Sequence, residues 1–238
     1  LAEADPAPAK GEPKRAETDP NARTLALSDG VVAVAITLLV LDIRLPEGFG
    51  DFTDPQLLQA LLALWPRIFS YLLSFLVIAS FWLSHRSKFN RIVATDGQLL
   101  WINLIFLLTI GLMPFTTNLI ADNGGTVATT VYASNMVISG LSLAWLWGHA
   151  WRHKLVDPEV TKEQFRHQLQ RTLLVAAVFA VSVPLSVTHA GFAKYFWLLI
   201  IPVNFSFRWL AVRKWKQEHP GEPRRGDPDY QREKATED

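Results

Sequence analysis

Apolar runs long enough to cross a bilayer alternate with short polar punctuation along most of this chain. They cover residues 24–45 (TLALSDGVVAVAITLLVLDIRL), 57–84, 98–120, 126–150, 168–188 and 192–212. About 20 apolar residues span a hydrocarbon core, where the backbone must be helical or part of a closed barrel. The strict alternation of a membrane barrel is absent. The pattern therefore predicts an all-α, polytopic membrane protein with six transmembrane helices per chain.

The punctuation is made of turn formers and charge. Pro46, Gly48, Gly50 and Pro55 follow the first run, and a basic stretch, HRSKFNR, follows the second. Asn123-Gly124-Gly125 and His189-Ala190-Gly191 read as tight turns, and the polar segment 152–167 separates the fourth and fifth runs. The second run is long enough to tilt or to extend past the bilayer, and Pro66 lies near its start. Pro114, Pro184 and Pro202 interrupt helices, without the paired placement expected of an inverted-repeat transporter. Residues 1–22 contain no apolar run able to offset ordering entropy and read as a disordered arm rather than a signal peptide. That leaves a six-helix domain over 23–215 and a charged tail over 216–238.

Short connections make successive helices antiparallel and put both termini on one side. Charge chooses the side. Of the 23 Lys and Arg residues, all but Arg44, Arg67 and Lys194 fall on the arm, the second–third connection, the fourth–fifth connection and the C-terminal end. Asp42, Glu47, Asp51, Asp54 and Asp122 fall on the opposite side. The positive-inside rule then places both termini in the cytosol.

Composition agrees with this reading. Half of the 238 residues are hydrophobic and 19% are charged. A net charge of +1 argues against a nucleic-acid surface. With no cysteine, disulfides and thiolate metal sites are excluded. Phosphate-binding glycine loops, Gly-x-Ser-x-Gly elbows and His-Glu-x-x-His are absent, so no catalytic constellation points to an enzyme. His149 and His153 share a helix face, but no third ligand is in view, and the pair reads as interfacial. Trp65, Trp82, Trp147, Trp151, Trp209 and Trp215 lie near helix ends, as interfacial belts do.

The first run carries the chemistry. Asp29 lies within or at the edge of an apolar helix, where a carboxylate costs about 2.5–3.5 kcal/mol at mid-membrane and normally finds a partner. Arg23 and Ser28 are near enough to help; hydration at the interface is the plainer reading. At about 100° per residue, Asp29, Ala33, Ile36 and Val40 share one face. Gly30, Val34, Thr37, Leu38, Leu41 and Leu45 fall on another. The acidic face suits packing against the protein's own polar groups. The other face suits a narrow dewetting constriction, although periodicity alone favours ordinary lipid or helix packing.

Arg23-Thr-Leu-Ala-Leu27-Ser28-Asp29, followed by GVVAVAITLLVLDI, resembles the first-helix signature of bacterial members of the transmembrane protein 175 family of potassium channels. That signature is Arg, three residues, then Phe-Ser-Asp; Leu27 stands here in place of Phe. Tyr71-Leu-Leu-Ser74-Phe75, Phe81-Trp82-Leu-Ser-His85 and Phe89 resemble the second helix. Asn103 with Pro114-Phe115 resembles the third, and Tyr132 with Gly140 to Trp147 the fourth. The resemblance implies a homotetramer in the bacterial inner membrane, with four first helices around a central pore and no cofactor beyond permeating potassium. It implies constrictions at Val34, Thr37, Leu38 and Leu41, and a bracing polar network of Arg23, Ser28, Asp29, Trp82, His85 and Asn103. His85 reads as a structural hydrogen-bonding group, with titration as the alternative. The competing function is a secondary transporter or proton-leak pathway in which Asp29 carries protons.

Overall fold

A computed structural model describes residues 21–45, 50 and 52–197. Helix α1 covers Ala22–Leu39 and tightens into a 3-10 turn, Val40–Asp42. Then come α2 (Asp54–Ala63), α3 (Trp65–Phe89), α4 (Gly97–Gly111), α5 (Met113–Asp122), α6 (Thr126–Arg152) and α7 (Lys162–Phe196). Five helical stretches among the described residues are long and apolar enough to cross a membrane: α1 with its 3-10 turn, α3, the α4–α5 pair, α6 and the first part of α7. The chain is thus a multi-pass, all-helical membrane protein. Most of the expected sixth span, residues 198–212 of 192–212, lies outside the described residues, as do most of the N-terminal arm and the C-terminal tail.

Several boundaries differ from the expectation. The second run is two helices, because Pro66 begins a new one and leaves α2 as a separate segment. Gln56 accepts the Thr53 N–H at 2.9 Å to start α2, which buries none of its residues. The third run is also two helices. Pro114 has no N–H to offer the Ile110 carbonyl, so the axis breaks at Leu112. Next to the break, Asn135 of α6 donates to the Thr109 carbonyl at 3.0 Å, and Ser139 donates to the Thr109 hydroxyl at 2.8 Å. Neighbouring side chains thereby satisfy polar groups at the break. Helix α7 starts at Lys162, inside the segment read as a connection. Gln164 N–H bonds the Thr161 hydroxyl at 3.2 Å, and Phe165 stacks on Trp151 and Trp147. One expected interfacial tryptophan, Trp147, is interior and fully buried, while Trp82 is half-buried and hydrogen-bonded.

Helical backbone also continues across 189–191, where a turn was expected. Yet Trp197 donates to the Ser182 hydroxyl at 2.8 Å and stacks on Tyr132. A straight helix would put residues 182 and 197 about 22 Å apart, so the segment between them is not straight.

Helix α6 is the centre of the bundle, packing on α4, α5 and α7. Many of its inward positions are small or hydroxylated, among them Ala128, Thr129, Ala133, Ser139, Gly140 and Ser142. Small residues let membrane helices approach closely. At Gly140 an added Cβ would stand 2.8 Å from the Ala176 Cβ of α7.

The two ends of the bundle are distinct. At one, the start of α1, the α3–α4 connection and the α6–α7 connection are tied together. Asn21 donates to the Ile92 carbonyl. Ile92 and Val156 form a single antiparallel bridge, flanked by Val93 N–H to Leu155 O and Asp157 N–H to Arg91 O, both 2.9 Å. The three basic segments within the described residues therefore share one end. Asn21 and Ala22, expected in the disordered arm, belong to this folded end. At the other end Arg67 pairs with Asp122 at 2.9 Å, and Arg44 Nε donates to the Leu41 carbonyl at 3.1 Å.

Candidate pore-lining helix

Helix α1 lies at the side of the bundle against α3, α4 and α5. It is the least buried span: 22% of its apolar window is interior, against 61% for α6. The inward stripe is Ser28, Val32, Ala35 and Leu39. This corrects the face expected to pack inward. Asp29 and Ile36 lie on its flank, half-buried, while Ala33 and Val40 are exposed. The difference is about one residue's rotation. Valine, alanine and leucine occupy all sides of this helix, so only contacts with other helices decide which side is inside.

The opposite stripe is open. Val34 is 56% exposed, Leu38 43% and Leu41 58%, and Thr37 and Gly30 are exposed with them. Among the described residues, no neighbouring helix covers this stripe. The Thr37 hydroxyl donates back to the Val34 carbonyl at 2.9 Å. Its proton is thus committed to the helix, and the oxygen lone pairs remain as acceptors.

Behind α1, a chain of hydrogen bonds joins it to α3 and α4. Trp82 donates its indole N–H to Asp29 Oδ1 at 2.7 Å. Arg86 lies over the Trp82 ring at 5.5 Å, adding a cation–π contact. Ser28 donates to the Thr24 carbonyl at 2.8 Å and accepts from Asn103 Nδ2 at 3.1 Å. Asn103 Oδ1 then faces His85 Nε2 at 2.8 Å. With the amide oriented in this way, Oδ1 must accept, so His85 carries its proton on Nε2. The imidazole is stacked on Phe106 at 5.2 Å and lies tilted by 30° against Phe89 at 4.4 Å. Ser28, His85 and Asn103 are fully buried, so each bond replaces a solvation that the site lacks.

Five of the six residues expected in the brace are therefore in contact. Arg23 is not among them. It is exposed on the same side as Leu27, Gly30 and Val34, because the rotation that turns Ser28 inward turns position 23 away. Other polar groups were not anticipated. Tyr132 and Ser74 hydroxyls lie 3.1 Å apart, and Thr117 donates to Ser74 at 2.8 Å. Lys88 is buried and donates to Ser84 and Thr172, both at 2.8 Å. Asp96, at the start of α4, accepts from Leu99 N–H and faces His149. Those contacts, with the backbone bond the larger, hold its carboxyl below the ordinary carboxylate range. Ser74 and Tyr132 carried the resemblance without an assigned partner, and only the helix packing reveals the contacts of these hydroxyls.

Comparison with known proteins accords with this architecture. The family model for the endosomal/lysosomal potassium channel TMEM175 matches residues 23–114. A potassium channel of Streptomyces collinus is 36% identical over 196 residues, covering 76% of this chain and 93% of that protein. The chain belongs to the TMEM175 family. A potassium channel of Chamaesiphon minutus is 33% identical over 161 residues, covering 66% of this chain and 76% of that protein. The crystal structure of a lysosomal potassium-selective channel TMEM175 homolog from Chamaesiphon minutus superposes with a TM-score of 0.56 at 32% identity. It covers 75% of this chain and 96% of that one. The stretch matched by the TMEM175 family model contains both the open stripe of α1 and its whole polar brace.

Proposed function

We propose that this TMEM175 family member conducts potassium passively through a pore lined by α1 of four identical subunits. The observation that carries the proposal is the uncovered stripe Val34, Thr37, Leu38 and Leu41 on the least buried span. An apolar stripe that the described residues leave bare is available to face copies of itself around an axis. The exposed arc also includes Ala33 and Val40, which leaves room for neighbouring subunits beside the pore-facing residues.

In this reading, rings of Val34, Leu38 and Leu41 dewet when narrow and close the path without a charged plug. A small outward shift of α1 readmits water. Four Thr37 oxygens, with their protons tied to Val34, would replace part of the hydration shell of a permeating cation. Asp42 and Asp54 raise the cation concentration at the outer mouth. Ser28, Asp29, Trp82, His85 and Asn103 fix the rotation of α1, which decides what faces the axis. The clustering of basic segments at one end supports cytosolic termini in the bacterial inner membrane. Potassium is the permeant species, and no further cofactor enters the mechanism.

Asp29 points toward Trp82 rather than along the open stripe, which disfavours a proton relay through it. The test is reconstitution with reversal potentials in mixed potassium and sodium. Thr37→Ala lowers the potassium preference if the hydroxyl ring is the filter. Unchanged selectivity removes Thr37 from that role. Flux that saturates and couples to a proton gradient, without unitary current steps, would favour a transporter instead.

A further inference from the structure

We propose that Asp96, His149 and His153 form a site for a borderline divalent first-row cation of the zinc class, at the basic end of the bundle. The two histidines occupy the last turn of α6, four residues apart, so their rings lie one above the other. The ring centroids are 4.2 Å apart and nearly parallel. The third donor comes from far away in sequence. The Ile92–Val156 bridge ties the α3–α4 connection to the α6–α7 connection, and Asp96 ends the first of these segments beside the histidines. One ligand atom from each of the three residues falls within a cluster 4.8 Å across.

The carboxylate is already oriented. Asp96 caps α4, with Oδ1 accepting the Leu99 N–H at 2.6 Å. Oδ2 faces His149 Nε2 at 2.9 Å. A backbone donor that fixes a ligand in this way is the usual outer support of a metal site. Donors around a tetrahedral ion sit about 3.3–3.4 Å apart, given metal–nitrogen distances of about 2.0–2.1 Å. The Asp96–His149 pair needs to open by a few tenths of an ångström as the ion replaces the imidazole proton. His153, exposed at the end of α6, needs to swing inward.

Donor chemistry selects the ion. Two imidazoles and one carboxylate, without thiolate, suit zinc, cobalt or nickel; magnesium and calcium prefer all-oxygen shells. Three protein ligands leave a position for water. Asp96 is partly exposed and His153 open, so the ion enters from the aqueous side. Once bound, it would clamp the start of α4 to the end of α6.

The experiment uses the full chain without a histidine tag, titrated with cobalt and then zinc. The expected result is a cobalt d–d absorption band, displaced by zinc, with one ion per chain, and a rise in thermal stability with zinc. His153→Ala, at an exposed position, and Asp96→Ser, which keeps a capping side chain, should each weaken zinc binding about 10–100-fold. A wild-type chain with no cobalt band and no retained zinc would overturn the proposal. So would wild-type affinity in both variants, which would leave only a His149–Asp96 hydrogen bond. Neither readout involves ion flux, so it stands apart from the channel reading.

Discussion

Trp82 donates its indole N–H to the carboxylate of Asp29 at 2.7 Å. This bond sets the rotation of α1 from the flank, while Ser28 anchors the same helical turn from its buried face. A hydrogen bond to a charged acceptor is worth about 1.5–3 kcal/mol when its loss leaves the acceptor unpaired. Trp82→Phe should therefore lower the melting temperature of the purified protein. Adding Asp29→Asn should recover part of the loss, because the neutral amide tolerates the missing donor better. Strictly additive effects in a double-mutant cycle would show that the two residues do not act as a pair.

Asn103 is the hinge of the buried brace, since its amide serves Ser28 and His85 at once. Asn103→Leu keeps the branched shape but not the polar ends, so His85 Nε2–H loses its acceptor and Ser28 loses a donor. Two inter-helix hydrogen bonds inside a membrane protein are each worth about 0.6–1.7 kcal/mol. The variant should lose roughly the sum in stability, measured by thermal unfolding in detergent. A melting temperature equal to wild type would mean that the network does not hold α1 to α4.

Gly140 faces Ala176 where α6 and α7 cross. Gly140→Val has to push the helices apart, and overpacking of this kind costs about 1–3 kcal/mol. Reduced expression and a lower melting temperature are expected. Gly148 meets nothing within 4 Å, so Gly148→Ala in the same helix should be neutral or mildly stabilising by the same assay.

Sequence made the spans legible because each is a long apolar run, and charge placement marked which connections share an end. It marked Asp29, with Ser28 beside it, because a carboxylate in such a run needs a partner; Trp82, His85 and Asn103 were marked only by the family resemblance. It could not reveal the inward face of α1, whose valines, alanines and leucines have no polar side to break the symmetry. That is why the expected inward face was displaced by about one residue; Arg23 entered the brace through the family resemblance, and in this chain it lies exposed, away from the other five. The break at Leu112 was legible from Pro114. The meeting of Asp96 with His149 was not, because it depends on two connections docking across 53 residues.

The central claim is that the uncovered stripe of α1 faces water in the conducting assembly. The chain has no cysteine, so Leu41→Cys introduces a unique thiol. In reconstituted channels, a water-soluble thiol reagent should block potassium current through Leu41→Cys and Leu38→Cys. It should leave Leu39→Cys, on the buried stripe, untouched. Current that persists after modification at positions 38 and 41, or block at position 39 alone, would contradict the account.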